Sequence, residues 1–176
     1  MGQLDAINDA ANNDWLMAYT KPRNEKKVLE RLQGMGIEVY LPLQRTLKQW
    51  SDRKKWVDEP LFRSYIFVRP TQKQYYNVLQ TDGVVRYVSF AKQVSKVPNS
   101  TIEQIKYLLN EPGVNIEVSQ ERIEPGTRIV ISMGSMCGME GEVVEHRGAK
   151  KLIVRMETIN HSILVTLPRN YVEPTK

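Results

Sequence analysis

Few residues in this 176-residue chain have side chains suited to reaction chemistry: one cysteine, Cys137, and two histidines, His146 and His161. Neither histidine falls in a recognisable nucleophile motif, and the pair offers no metal-ligand spacing. Cys137 lies in a glycine turn with no base or cationic cluster flanking it, which suits a small residue in a tight bend better than an activated thiol. There is no Gly-rich phosphate loop and no Gly-x-Ser-x-Gly elbow. The inventory argues against an enzyme, and for no cofactor and no metal. What remains is the chemistry of binding. Arg45, Lys48, Arg53, Lys54 and Lys55 interleave with Trp50 and Trp56 around Ser51-Asp52, which reads as a hairpin tip. Cations alternating with exposed rings suit a phosphate backbone with occasional base stacking. A second basic group, Lys21, Arg23, Lys26, Lys27 and Arg31, is partly offset by Glu25 and Glu30 through pairing along a helix.

Aromatic residues supply the other candidates. Tyr19, Tyr65, Phe67, Tyr87 and Phe90 all fall in strand-like segments, where aromatics are ordinarily core. Strand alternation sends Tyr65 and Phe67 to one face and Ile66 and Val68 to the other. If helices cover the aliphatic face, the aromatic pair is left on an open face, and an uncovered apolar patch marks a partner site. Tyr87 is out of phase with Phe90 and reads as packing.

The elements that must hold these side chains follow from periodicity. Trp15 to Thr20 reads as a strand; Pro22 and Asn24 open a helix with Val28, Leu29, Leu32 and Met35 on one stripe, ended by Gly34 and Gly36. Ile37 to Leu43 and Trp56 to Val68 return as strand, the latter interrupted at Pro60. Thr71 with Gln74 and Ser100 with Glu103 have capping-box spacing. Between these two helices Gly83 to Phe90 is strand. Glu111-Pro112-Gly113 and Glu124-Pro125-Gly126 bracket a segment without clear period in which Val114 to Val118 is one further strand candidate. Beyond it, Arg128 to Ser132, Glu142 to Arg147, Leu152 to Met156 and Ile163 to Leu167 have the spacing of a small barrel, closed by Tyr171-Val172.

Together these predict an α+β chain: a small polar tail over 1–13, a domain over 14–111 made of an antiparallel sheet with helices on one side, a linker over 112–124, and an all-β barrel over 125–176. Charge divides along the same line. Residues 15–111 hold 17 basic and 9 acidic side chains, whereas residues 112–176 hold 8 of each. The first of these domains therefore favours a polyanionic partner. No apolar run approaches membrane length and residues 1–13 lack the features of a signal peptide, so a cytoplasmic protein is expected.

The order of the segments Trp15-Leu16-Met17-Ala18-Tyr19-Thr20, Leu61-Phe62-Arg63-Ser64-Tyr65-Ile66-Phe67-Val68 and Gly138-Met139-Glu140-Gly141-Glu142-Val143 resembles NusG-type transcription elongation factors. These have an N-terminal αβ domain (NGN) and a C-terminal SH3-like barrel (KOW). The resemblance implies docking of the first domain on the clamp helices of the largest RNA polymerase subunits through Tyr19, Tyr65, Phe67 and Phe90, favouring processive elongation. It implies that Lys21, Arg23, Lys48, Arg53, Lys54 and Lys55 approach the nontemplate DNA strand or upstream duplex. Gly138 and Gly141 match the KOW turn, where a positive φ would exclude a Cβ. Met136, Met139 and Ile159 stand where the family's barrel contacts a small-subunit ribosomal protein or Rho; their departure from the usual aromatics speaks against Rho. Leu61-Phe62-Arg63-Ser64-Tyr65 also departs from the Phe-Pro-Gly-Tyr of housekeeping NusG. The chain is most similar to specialised RfaH-like and UpxY-type antiterminators, the latter from Bacteroides capsular polysaccharide operons. Housekeeping NusG and a KOW-bearing RNA-binding or ribosome-associated protein are the alternatives.

Overall fold

The structure, a computed structural model, describes residues 14–50, 52–111, 115–119, 126–131, 140–146, 149–156, 161–166 and 172–174. The expected tail, Ser51 of the hairpin tip, Met136, Cys137, Gly138, Met139, Ile159 and Tyr171 lie outside the described residues. The chain divides into two compact units, Met1–Asn99 and Ser100–Lys176.

The first unit is built around β1 (Trp15–Thr20), an almost wholly apolar strand that pairs on both sides and is buried nearly throughout. It is flanked by β5 (Tyr65–Arg69) on one side and by β6 (Val84–Tyr87) on the other, both antiparallel. β2 (Glu38–Tyr40) extends the sheet beyond β5, giving the order β2-β5-β1-β6. Short β9 (Lys96–Val97) pairs with the start of β1, placing Trp15 opposite Val97. The helix α1 (Glu25–Gly34) ends as expected near its glycines, with Gly36 at φ 69° turning the chain back into a conformation that L side chains rarely adopt. A single 3₁₀ turn over Gln72–Gln74, entered through the Thr71–Gln74 capping box, leads into α2 (Tyr75–Gln80).

Leu16, Ala18, Ile66 and Val68 of the sheet pack with Val28 and Leu32 of α1 and Tyr75 and Val78 of α2 in one cluster. This is the helix-covered aliphatic face that strand alternation predicts. Tyr87 closes it: its hydroxyl donates to the Tyr75 carbonyl at 3.0 Å and the two rings stack at 4.6 Å. Burial pushes both phenols above their ordinary range.

Two hairpins project from this frame. β3 (Leu43–Gln49) and β4 (Lys54–Pro60) pair in continuous register as a separate two-stranded ribbon. β7 (Ser89–Phe90) and β8 (Gln93–Val94) form a much smaller one, turned by Ala91 and Lys92 at φ 48° and 68°. The strand expected over Gly83 to Phe90 is therefore broken into β6 and β7.

The second unit begins with nearly all of α3 (Asn99–Asn110), whose residues Ile102, Ile105 and Leu108 are buried on one stripe. The helix starts at Asn99, one residue before the expected cap. Ser100 thus lies inside the first turn, and Glu103 instead pairs with Lys106 at 2.8 Å. The strands β10 (Asn115–Ser119), β11 (Thr127–Ile131), β12 (Glu140–His146), β13 (Ala149–Met156), β14 (His161–Thr166) and β15 (Val172–Pro174) make an antiparallel sheet in the order β10-β14-β13-β12-β11-β15. Val144, Ile153 and Leu164 form its cluster. β10 lies within the segment expected to be linker. Among the described residues the sheet is open, with β10 and β15 as its edges, in place of the closed barrel anticipated.

Gly141 also differs in its reason. It lies in β12 and is not among the glycines at positive φ. A Cβ there would collide with Leu152 Cδ1, so the constraint is close packing of neighbouring strands rather than turn conformation.

Candidate functional site

Antiparallel pairing sets Tyr19 directly opposite Tyr65. The rings meet edge to face at 5.4 Å, and both side chains are half-buried. Arg86, opposite Tyr19 on β6, lays its guanidinium over that ring at 5.9 Å. Two aromatic rings and a cation thus occupy the face of the sheet away from the helix-packed cluster. Phe90 is on the small β7–β8 hairpin and is 80% exposed. At that exposure the ring, beside a tight turn, gains little from packing within the fold.

Phe67 does not belong to that group. Alternation places it on the predicted face, opposite Met17, yet both are 0% exposed. The expectation that Tyr65 and Phe67 are equally open is corrected here: Phe62 meets the Phe67 ring edge to face at 6.0 Å and Tyr40 stacks on it at the same distance. Alternation names a face but not what a neighbouring loop lays over it. Phe62, in the loop before β5, was the signal available in sequence, as an apolar residue too close to β5 to escape it.

A buried carboxylate holds that loop. Glu25, at the start of α1, accepts the Ser64 N–H at 2.7 Å, and the Ser64 carbonyl accepts the Thr20 N–H at 2.8 Å. Ser64 itself sits at φ 65°, left-handed backbone for a residue with a Cβ. The pairing of β1 with the turn therefore fixes where Tyr65 begins, and sequence gave no sign that Glu25 had this role.

The basic residues separate into paired and unpaired sets. Lys21 bridges to Asp82 at 3.3 Å and Arg31 to the same carboxylate at 3.0 Å, which holds Asp82 below its ordinary pKa, chiefly through the hydrogen bond from Lys21. Lys48 is paired with Glu59 at 2.5 Å. Arg23 is exposed in the turn before α1, at φ 63°. Arg53, Lys54 and Lys55 are exposed at the end of the β3–β4 ribbon, and among the described residues none of the three forms an ion pair. Two of the six cations singled out in the sequence are thus already neutralised locally, and charge concentrates at the ribbon end.

That end also carries the indoles. Trp50 and Trp56 are 45% and 55% exposed, with the Arg53 and Arg45 guanidinium groups each 5.5 Å from the respective ring centroid. Lys26 of α1 donates to the Asp58 carbonyl at 2.7 Å, tying the ribbon to the helix. Among the described residues no group of histidine, cysteine, aspartate and glutamate side chains is arranged to hold a metal, and no helix is long and apolar enough to cross a membrane.

A family model described as transcription termination factor nusG matches residues 13–106. The transcription termination/antitermination protein NusG of Streptococcus pyogenes serotype M3 is 27% identical over 160 residues, covering 84% of this chain and 89% of that protein. The protein of the same name from Staphylococcus carnosus is 24% identical over 172 residues, covering 90% and 94%. Among solved structures, Thermotoga maritima NusG is similar in fold, with a TM-score of 0.54 at 21% identity over 95% of this chain and 99% of that one.

Proposed function

The chain belongs to the NusG family of transcription termination and antitermination factors, whose model matches more than half of it, and on that premise we propose that it binds RNA polymerase and sustains elongation. The contact is made by Tyr19, Tyr65 and Phe90, received on the clamp helices of the largest subunits. The observation that carries this reading is the half-buried Tyr19–Tyr65 pair, held on the sheet without being consumed by its core, together with an 80% exposed Phe90 on the small β7–β8 hairpin. Buried aromatic anchors of this type dominate interface energies. Arg53, Lys54 and Lys55, with Arg23, face nontemplate DNA or the upstream duplex. The domain limits proposed are 14–111 for the polymerase-binding part, 112–124 for the linker, which also carries β10, and 125–176 for a KOW barrel, with Gly138 at its turn and Gly141 in β12. Met136, Met139 and Ile159 offer that barrel a surface for a small-subunit ribosomal protein. The proposed setting is the cytoplasm.

Within the family we assign the chain to the specialised antiterminators, of the kind that act on particular long operons such as capsular polysaccharide loci. Leu61-Phe62-Arg63-Ser64-Tyr65 supports this, because its departure from the housekeeping pattern falls in the turn that positions Tyr65. Housekeeping NusG is the alternative, favoured by the general NusG names of the relatives. Immunoprecipitation with sequencing of bound DNA separates them: occupancy confined to a few long transcription units is expected, and occupancy of most units would overturn the specialised reading. The polymerase contact is tested by co-purification. Tyr65→Ala with Phe90→Ala is expected to lose polymerase subunits while keeping the fold; retention of polymerase would overturn the docking surface.

A further inference from the structure

β6 does not alternate as a regular strand would. Val84 and Tyr87 are three positions apart, a spacing that strict alternation sends to opposite faces of a sheet, yet both side chains belong to the helix-covered cluster. The pairing with β1 resolves this. Ala18 faces Tyr87 and Tyr19 faces Arg86, but Thr20 faces Val84, so Val85 is an extra residue in a β-bulge. Two consecutive residues, Val85 and Arg86, are left exposed. A bulge interrupts the ladder, and its usual product is a re-aimed side chain. Here that side chain is Arg86, delivered to the open face opposite Tyr19 with its guanidinium over the ring, and it forms no ion pair among the described residues. Its attraction to the ring, at 5.9 Å, is at the outer limit of a cation–π contact, too little to account for a broken ladder.

We propose that Arg86 is the specificity determinant of the docking face, forming a bidentate pair with an acidic side chain that the polymerase presents beside its apolar contact to Tyr19 and Tyr65. This rests on the polymerase reading above and deepens it by naming the chemistry that the partner must carry. A helix tip received on the two half-buried tyrosines covers Arg86 as well, and a guanidinium taken from water without an acceptor opposes binding. A partner surface that is apolar alone is therefore rejected, and one with a carboxylate at that point is accepted. The guanidinium fork meets a carboxylate in two parallel hydrogen bonds, which the point charge of a lysine does not. A phosphate would also fill the fork, but a nucleic-acid backbone lays down a row of charges. Arg86 adjoins the Tyr19–Tyr65 pair and the exposed Val85, apolar neighbours that suit a protein surface carrying one acid.

The test measures binding of the full chain to the cognate RNA polymerase at one salt concentration, with a thermal melt of each variant to control for folding. Arg86→Gln is expected to weaken binding by about thirty-fold, the low end for removing one member of a desolvated charge pair, at an unchanged melting midpoint. Arg86→Lys is expected to recover only part of that loss. Arg86→Glu is expected to bind more weakly still, and polymerases whose clamp-helix Asp and Glu residues are reversed to lysine one at a time then locate the partner: one reversal weakens the parent and restores Arg86→Glu. Binding of Arg86→Gln equal to the parent, or failure of every reversal to restore Arg86→Glu, overturns the proposal. An Arg86→Glu protein that keeps its polymerase affinity and loses affinity for an oligonucleotide duplex would make Arg86 a phosphate contact and likewise overturn it. Tyr65→Ala with Phe90→Ala separates the underlying reading. If that variant loses polymerase while Arg86→Gln does not, the aromatic face stands and the acidic partner falls. If it retains polymerase, the docking face falls and Arg86 with it.

Discussion

Two residues separated by one position, Tyr65 and Phe67, carry opposite consequences when truncated. Phe67 is enclosed by Phe62, Tyr40 and the sheet, so Phe67→Ala is expected to cost about 3 to 5 kcal/mol of folding stability. Urea denaturation would read this as a lowered midpoint, with lost polymerase binding following only from unfolding. Tyr65→Ala is expected to leave the midpoint within about 1 kcal/mol of the parent and to reduce polymerase binding directly. A second contrast concerns Ser64. Because it is held at φ 65°, Ser64→Gly is expected to be neutral or to stabilise by up to about 1 kcal/mol, whereas Ser64→Val should destabilise by about 2 kcal/mol, since a β-branched side chain is still less tolerant of left-handed backbone. Thermal melts of both variants check the order; a stable valine variant would mean that the turn relaxes. Sequence alternation assigned these residues to faces correctly. It could not register the Glu25 carboxylate that anchors the turn, because that contact joins distant parts of the chain, and alternation alone does not say that the nearby Phe62 folds back over Phe67.

At the scale of elements, the β3–β4 ribbon is held at its base by a charge pair as well as by its ladder. Lys48 donates to Glu59 and Thr46 lies 3.4 Å from the same carboxylate, and the hydrogen bond from Lys48 is the chief reason that the Glu59 pKa falls below 4.5. A carboxylate with a lowered folded-state pKa contributes stability that is full above its ordinary value and is lost as pH falls through the folded one. The ribbon is therefore expected to be unchanged between pH 7 and pH 5 and to loosen at more acid pH, with Lys48→Met removing that step. NMR titration of the Glu59 carboxyl and the ribbon amides would show it, and an identical acid profile in Lys48→Met would remove the pair from the account. This ribbon was legible as a hairpin because cations and indoles cluster around Ser51-Asp52. The division of labour among its cations was not, since pairing of Lys48 with Glu59 needs the cross-strand register. Likewise the extended reading over Gly83 to Phe90 missed the break after Tyr87, where Val88 N–H turns to the Met17 carbonyl at 2.8 Å.

For the molecule as a whole, the strand pattern of the C-terminal half was readable because β-branched residues mark β11, β12, β13 and β14 plainly, while β10 was visible only as a candidate inside a segment bracketed by turns. Its pairing with β14 along five residues changes where the unit can be cut. A fragment over residues 112–176 is expected to be more stable than one over 124–176, which leaves β14 with an unpaired edge; circular dichroism melts of the two would decide, and equal midpoints would make β10 dispensable. Both fragments are expected to give β-type spectra, given the dominance of Ile and Val in their strands. The same pairing has a temporal consequence. β12, β13 and β14 follow one another as consecutive hairpins, but Asn115 finds its partner only at Thr166. Closing that span costs chain entropy that is recovered only after β14 has a sheet to belong to. During synthesis β10 leaves the ribosome well before its partner exists, so the meander is expected to form first and β10 to dock last. Pulse-labelled hydrogen exchange during refolding should find β12 to β14 protected ahead of β10, and the order of assembly would then run against the order of translation.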